Sequence, residues 1–367
     1  MNPAQQLHHA GQSLWLDSIN RGMLQTGTLA RYIKDLAVTG LTSNPSILGH
    51  VMVASTDYDN SLRRLVGEGL TEPQELVYAV ALEDLTAAAD LFRPLWESTE
   101  GADGYVSVEV PPGLAYSAEG QIDFASRLHA RADRPNVFVK IPGTPQGLTA
   151  TQELIASGVG INITLLFSDS HYLRTAEAYL QALERRRDAG LALEVPSVAS
   201  VFVSRWDTAA DPLLPRALHG RLGLAMTQKV YASYLSLLSD DRWRALARAG
   251  AEPQRVLWAS TSSKDPAFPD TYYLGRLAAP DTIDTVPETT LLAFADHGEL
   301  GEQLVPDYAG AEHTIAEVAA HGVDVDALGE SLQRHGAKAF EADWEALLEA
   351  ISIKVSKLIP KTKVGGG

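Results

Sequence analysis

Cysteine is absent from this chain of 367 residues. That absence removes disulfides, thiolate nucleophiles, Cys-ligated zinc and iron–sulfur clusters together. Long apolar runs are missing too: no stretch approaches the ~18 unbroken apolar residues of a membrane helix. Positive charge is scarce. Lys and Arg total 30 against 46 Asp and Glu, a formal net charge of −16. With a pI near 5.0, nucleic acid and membrane surfaces are not expected as partners, because phosphate backbones are held by clustered cations. Met1 to Ala10 has neither a basic start nor an apolar run. No signal peptide is expected, and the cytoplasm is the expected location. Three short motifs are missing as well: G-x-x-x-x-G-K-[ST], G-x-S-x-G and H-E-x-x-H. The ten His are scattered singly apart from His8-His9, so no metal site is expected.

What is present is an ordinary globular composition, 45% hydrophobic and 21% charged, with 29 Gly and 19 Pro. Short β-branched and apolar runs predict strands at 14–19, 39–43, 105–112, 136–142, 160–166, 196–203, 255–260 and 282–286. Helical periodicity lies between them, at 73–96, 117–132, 147–157, 169–188 and 217–238. Ser168-Asp169 has N-cap chemistry, and Gly190 stands where a helix should stop. Alternating strand and helix implies a parallel sheet with right-handed crossovers. Eight such strands closing on themselves make a (β/α)8 TIM barrel, of the α/β class, typically ~250 residues long. The surplus falls in long gaps after the second and sixth strands and in a helical stretch at 312–354. An open doubly wound sheet would carry a Gly-rich turn after its first strand; here Asp17-Ser18-Ile19-Asn20-Arg21 follows instead. The expectation is one domain over 1–354 with helical insertions and a C-terminal helical extension, then a basic, Gly-ended tail over 355–367.

Polar residues inside the apolar strands are the chemical signal. Lys140 lies in Phe138-Val139-Lys140-Ile141-Pro142. A lysine is almost never fully buried without a reason. It is either the structural partner of a carboxylate or an amine whose desolvation makes it a Schiff-base nucleophile. Asp17 and Glu109 would face the same cavity, as acid–base groups or as counter-ions. Asn162 and Thr164 alternate on the fifth strand and therefore share a face. They suit a polyhydroxylated substrate, or simply satisfy the backbone. Asn44 precedes Pro45 and reads equally as a turn residue. Ser200 and Arg205 flank the end of the sixth strand. Arg205 is either a phosphate clamp or a surface partner of Asp207. Ser260 and Lys264 occupy the loop after the seventh strand, where such barrels often hold phosphate.

Five segments, in order, resemble the transaldolase family in its longer bacterial form. They are Gly40-Leu41-Thr42-Ser43-Asn44-Pro45-Ser46-Ile47, Val139-Lys140-Ile141-Pro142-Gly143-Thr144, Gly160-Ile161-Asn162-Ile163-Thr164-Leu165-Leu166-Phe167-Ser168, Ser200-Val201-Phe202-Val203-Ser204-Arg205 and Trp258-Ala259-Ser260. The resemblance implies a (β/α)8 barrel with Lys140 as the Schiff-base lysine and no metal or organic cofactor. It implies transfer of a dihydroxyacetone unit from sedoheptulose 7-phosphate or fructose 6-phosphate to glyceraldehyde 3-phosphate or erythrose 4-phosphate, in the non-oxidative pentose phosphate pathway. Asp17 would move the C4 hydroxyl proton, and Glu109 with Thr164 would hold the proton-shuttling water. Asn44, Asn162 and Ser200 would bind the dihydroxyacetone hydroxyls, and Arg205 with Ser260 the phosphate.

One position departs from the family pattern. Ser262 stands where relatives carry a second Arg, and Lys264 is the cation expected in its place. The region 265–354 carries no family motif; its helices would cover the barrel mouth or form an oligomer contact, as in a homodimer. Two other functions are compatible with these residues. A related fructose 6-phosphate aldolase would release free dihydroxyacetone, but those relatives are much shorter and use a tyrosine for proton transfer. A catalytically inactive barrel would serve as a binding protein.

Overall fold

The apolar runs become eight strands: β1 (Ser13–Leu16), β2 (Val38–Leu41), β3 (Val106–Glu109), β4 (Val137–Pro142), β5 (Ile161–Leu166), β6 (Ser197–Phe202), β7 (Arg255–Ala259) and β8 (Ile283–Val286). The computed structural model describes residues 1–358, apart from the side chains of residues 45–47. In it each strand pairs in parallel with its sequence neighbours, and β8 returns to β1, closing the expected barrel. β1 and β3 are shorter than their apolar runs. Beyond them the chain leaves the ladder after one more bond each, Asp17 N–H to the Val286 carbonyl at 2.8 Å and Val110 N–H to the Lys140 carbonyl at 3.1 Å.

Strand side chains alternate between two environments, since successive residues point to opposite faces. Val139, Ile141, Ile161, Ile163, Ala199 and Val201 pack outward against the helices. Trp15, Phe138, Val198, Leu257 and Ile283 pack together in the lumen. Phe138 stacks on Tyr105 with ring centroids 4.2 Å apart. This layer plugs the barrel, so the residue two positions further along each strand stands above it, near the C-terminal mouth.

The helices begin and end where local chemistry directs. Thr144 caps Pro145–Ser157, its hydroxyl accepting from Gly147 N–H at 3.0 Å. Ser168 caps Asp169–Asp188 through His171 N–H at 3.2 Å. The gap after β2 holds helices Pro45–Ala54, Asp59–Gly67 and Pro73–Ser98, and the gap after β6 holds Ser204–Ala210, Leu222–Ser239 and Asp241–Arg248. The stretch read as 312–354 divides into Tyr308–Ala320 and a C-terminal helix, Val325–Leu358. That helix crosses the barrel mouth: Leu332 and Phe340 face the central cavity, and Trp344 packs on Tyr78. Residues 355–358, expected to start the tail, continue the helix, and 359–367 lie outside the described residues. Among the described residues no helix is long and apolar enough to cross a membrane.

Candidate active site

Strand register brings the polar residues into one layer. Glu109 on β3 stands beside Lys140 on β4, which stands beside Asn162 on β5. Lys140 follows Phe138 by two positions and therefore rises directly from the aromatic plug. Its Nζ lies 3.0 Å from Glu109 Oε2 and 3.4 Å from the Ser43 carbonyl. Both side chains of the pair are buried, 7% and 4% exposed. Burial pushes the Glu109 carboxyl above its ordinary value, and Lys140 opposes that shift. Asp17 follows β1 by one residue and is partly open to the cavity. Its carboxyl is likewise pushed up by burial, with Lys140 and the Thr42 hydroxyl pulling the other way. Thr42 Oγ1 donates to Asp17 Oδ1 at 2.9 Å and lies 2.7 Å from Thr285 Oγ1.

A cavity of about 540 Å³ opens above this layer. Asp17, Asn44, Lys140, Thr164 and Ser200 line it, whereas Glu109 stands behind Lys140 and is not among the lining residues. Thr164 Oγ1 is buried and has no hydrogen-bond partner among the described residues. Asn162 does not reach the cavity wall. Its Nδ2 donates to Ser107 Oγ at 3.0 Å, and its Oδ1 accepts from Ser200 Oγ at 2.6 Å. It therefore stands behind Ser200 and orients it.

Further cations line the cavity at the ends of β6 and β7. Arg205 lines the cavity from the first turn of Ser204–Ala210 and makes no ion pair among the described residues. Burial lowers its guanidinium from the ordinary value, with Asp343 opposing. Ser260 lines the same cavity at φ 56°. This left-handed turn is uncommon for serine, and it aims the hydroxyl 3.0 Å from Ser204 Oγ. Ser262 and Lys264 complete the rim, Lys264 exposed and donating to Ser262 Oγ at 3.1 Å. A buried lysine–carboxylate pair beside a cavity that a guanidinium also lines, with no ion pair to that guanidinium among the described residues, suits a carbonyl compound bearing a phosphate.

Comparison with known proteins gives the same class. Residues 14–351 match the family described as Transaldolase/Fructose-6-phosphate aldolase. The chain belongs to that family. It is 41% identical to a transaldolase of Frankia alni over 365 residues, covering 97% of this chain and 98% of that one. It is 42% identical to a transaldolase of Acidothermus cellulolyticus over 359 residues, 96% of each chain. A transaldolase of Thiobacillus denitrificans is 41% identical over 359 residues, 96% of this chain and all of its own.

Several residues that shape this family member's site escape sequence reasoning. Thr42, just past β2, holds Asp17, and Thr285 on β8 holds the Thr42 hydroxyl in turn; both read as unremarkable β-formers. Ser107 signals itself only by standing two residues before Glu109, on the same face. Asp207 is not the surface partner of Arg205 that the sequence allows. It is buried, accepts from Gly223 N–H at 3.0 Å and from the Tyr273 hydroxyl at 2.7 Å, and burial pushes its carboxyl up to about 6. It pins the Arg205 helix to the segment that follows Lys264.

Proposed function

We propose that the chain is a transaldolase carrying a dihydroxyacetone unit between sugar phosphates on a Schiff base at Lys140. The observation that carries this reading is Lys140, buried 3.0 Å from Glu109 at the edge of a cavity that Arg205 also lines. Glu109 takes a proton from Lys140, and the free amine attacks C2 of the ketose phosphate. Water leaves the carbinolamine, its proton passed through a water held by Glu109 and Thr164, and a protonated imine remains. Asp17 then removes the C4 hydroxyl proton. The C3–C4 electron pair moves onto the imine, the aldose phosphate departs and a neutral enamine stays on Lys140. The enamine carbon attacks the acceptor aldehyde while Asp17 returns the proton to the new alkoxide. Hydrolysis of the imine frees the new ketose and restores the amine.

Asn44 and Ser200 bind the dihydroxyacetone hydroxyls, with Asn162 orienting Ser200. Arg205, Ser260 and Lys264 bind phosphate, Lys264 serving in place of the second Arg at Ser262. A net charge of −16 makes these local cations necessary for an anionic substrate. A cytoplasmic site of action fits substrates whose phosphate charge prevents passage through a bilayer.

Glu109, in place of a tyrosine, supports transfer over release of free dihydroxyacetone, as does end-to-end similarity to proteins named transaldolase. Fructose 6-phosphate turnover measured with and without erythrose 4-phosphate tests this. Turnover is expected to require the acceptor; equal release of dihydroxyacetone in both would establish an aldolase instead, and no turnover in either would leave a binding protein.

Arg205→Ala is expected to raise KM for phosphorylated substrates ~10- to 100-fold, the scale of one lost charge-assisted contact pair. The kcat should change much less, since the phosphate lies far from the reacting carbons. Steady-state kinetics on folded variant checks this; an unchanged KM would remove Arg205 from phosphate binding.

A further inference from the structure

We propose that Gln333, on the C-terminal helix, is a positioning residue for the reaction: its amide ties the ends of β4 and β5 and so sets Lys140 against Thr164. Gln333 Nε2 donates to the Gly143 carbonyl at 3.1 Å and to the Leu165 carbonyl at 2.9 Å. The first carbonyl lies three residues past Lys140, and the second belongs to the residue after Thr164. The amide orientation is dictated, because the reversed group would set an oxygen against two carbonyls. Gly143 N–H already donates to the Thr164 carbonyl at 2.7 Å, so Gln333 closes a second bridge between the same strand ends.

The backbone of β5 explains why this bridge is needed. Its pairing with β6 shifts register between Ile163 and Leu166, and Leu165 takes φ 59°, an uncommon conformation for leucine. The Leu165 carbonyl thereby leaves the ladder, and a buried carbonyl must find a donor elsewhere. The C-terminal helix approaches closely enough to supply it through glycine. A Cβ at Gly336 would lie 3.0 Å from Leu165 Cδ2, and one at Gly329 would lie 2.9 Å from the Trp206 ring. A second tie runs beside the first. His171 Nδ1 accepts from Phe167 N–H at 3.2 Å, and its Nε2 meets Glu330 Oε1 at 3.1 Å. Gln333 is 5% exposed and does not line the cavity. It cannot touch substrate, and its influence passes through Lys140 and Thr164.

The inference rests on the Schiff-base reading, and its test separates the two. Gln333→Leu keeps the volume and removes both donors. Its kcat with fructose 6-phosphate and erythrose 4-phosphate is expected to fall ~10- to 100-fold, the scale of a displacement near 1 Å. KM should stay within about twofold, and the rate of borohydride-trapped adduct formation at Lys140 should fall with kcat. Leu347→Ala loosens the same helix where it packs over Gly49; it should lower Tm yet keep kcat within about twofold. Gln333→Glu decides the matter should the leucine variant not fold. Its ionised carboxylate repels both carbonyls, while its protonated form donates to one, so its kcat relative to the native enzyme should rise as pH falls from about 8 to 6. Native protein that traps no adduct at Lys140 overturns the functional reading. Native trapping with an unaltered kcat in Gln333→Leu, an equal loss in Leu347→Ala, or a pH-independent ratio for Gln333→Glu overturns the role of Gln333.

Discussion

A Lys140→Met enzyme is expected to fold as a barrel and to lose at least ~10⁴-fold in kcat, about 5.5 kcal/mol of barrier. Every covalent intermediate of the proposed cycle is carried on this nitrogen, and the C3–C4 electron pair needs its imine as a sink, so no other group can restore the path. Methionine fills much of the same space above Phe138. The Glu109 carboxyl loses its cation, but burial already pushes it up, so it takes a proton rather than remaining a buried unpaired charge. Circular dichroism and a melting curve establish the fold. Borohydride reduction with fructose 6-phosphate, followed by digestion and mass spectrometry, reads the adduct. The native chain should gain mass at Lys140 alone, and Lys140→Met should gain none. An adduct on Lys264 or another lysine in the native chain would refute the assignment.

Asp17→Asn is expected to cost ~10³-fold in kcat, within the range for removing a positioned general base. The amide keeps an oxygen that can accept from Thr42 Oγ1, 2.9 Å away in the native site, so the loss reports proton transfer rather than collapse of the wall. The pH profile carries the second signature. Burial raises the Asp17 carboxyl, and cleavage needs its ionised form. Native kcat/KM should therefore be full above that raised value and fall as pH drops through it, at a pH above the ordinary carboxylate value of ~3.9. The Asn variant should be slow throughout and lack the part of this acid limb that Asp17 supplies. Activity within tenfold of native, with an unmoved acid limb, would place the base elsewhere.

The strands and their polar interruptions were legible because they follow a local rule. A period of two puts Phe138 and Lys140 on one face, Val139 and Ile141 on the other, and a lysine in such a run stands out without any partner being known. Asp17 and Glu109 were readable in the same way, each standing at a strand end, and two of the five family-like segments contain Arg205 and Ser260. Asn162 shows the limit of that logic. Its position on the strand was readable, but whether its amide meets substrate or Ser200 depends on the neighbouring strand's register, which is a property of closure.

The sequence by itself determined the alternation of strands and helices, the barrel class, and which side chains face inward. Periodicity and capping act over fewer than ten residues, and they are written in the order of the chain. Only the tertiary structure decided what those side chains touch. Thr42 reaches Asp17 across 25 positions, Lys140 reaches Glu109 across 31, and Gln333 reaches Gly143 across 190. Such contacts are chosen by strand register, by the left-handed turns at Leu165 and Ser260, and by the one approach that Gly329 and Gly336 allow the C-terminal helix. Those choices come from filling space around a closed barrel and satisfying its buried carbonyls, and no local pattern records them.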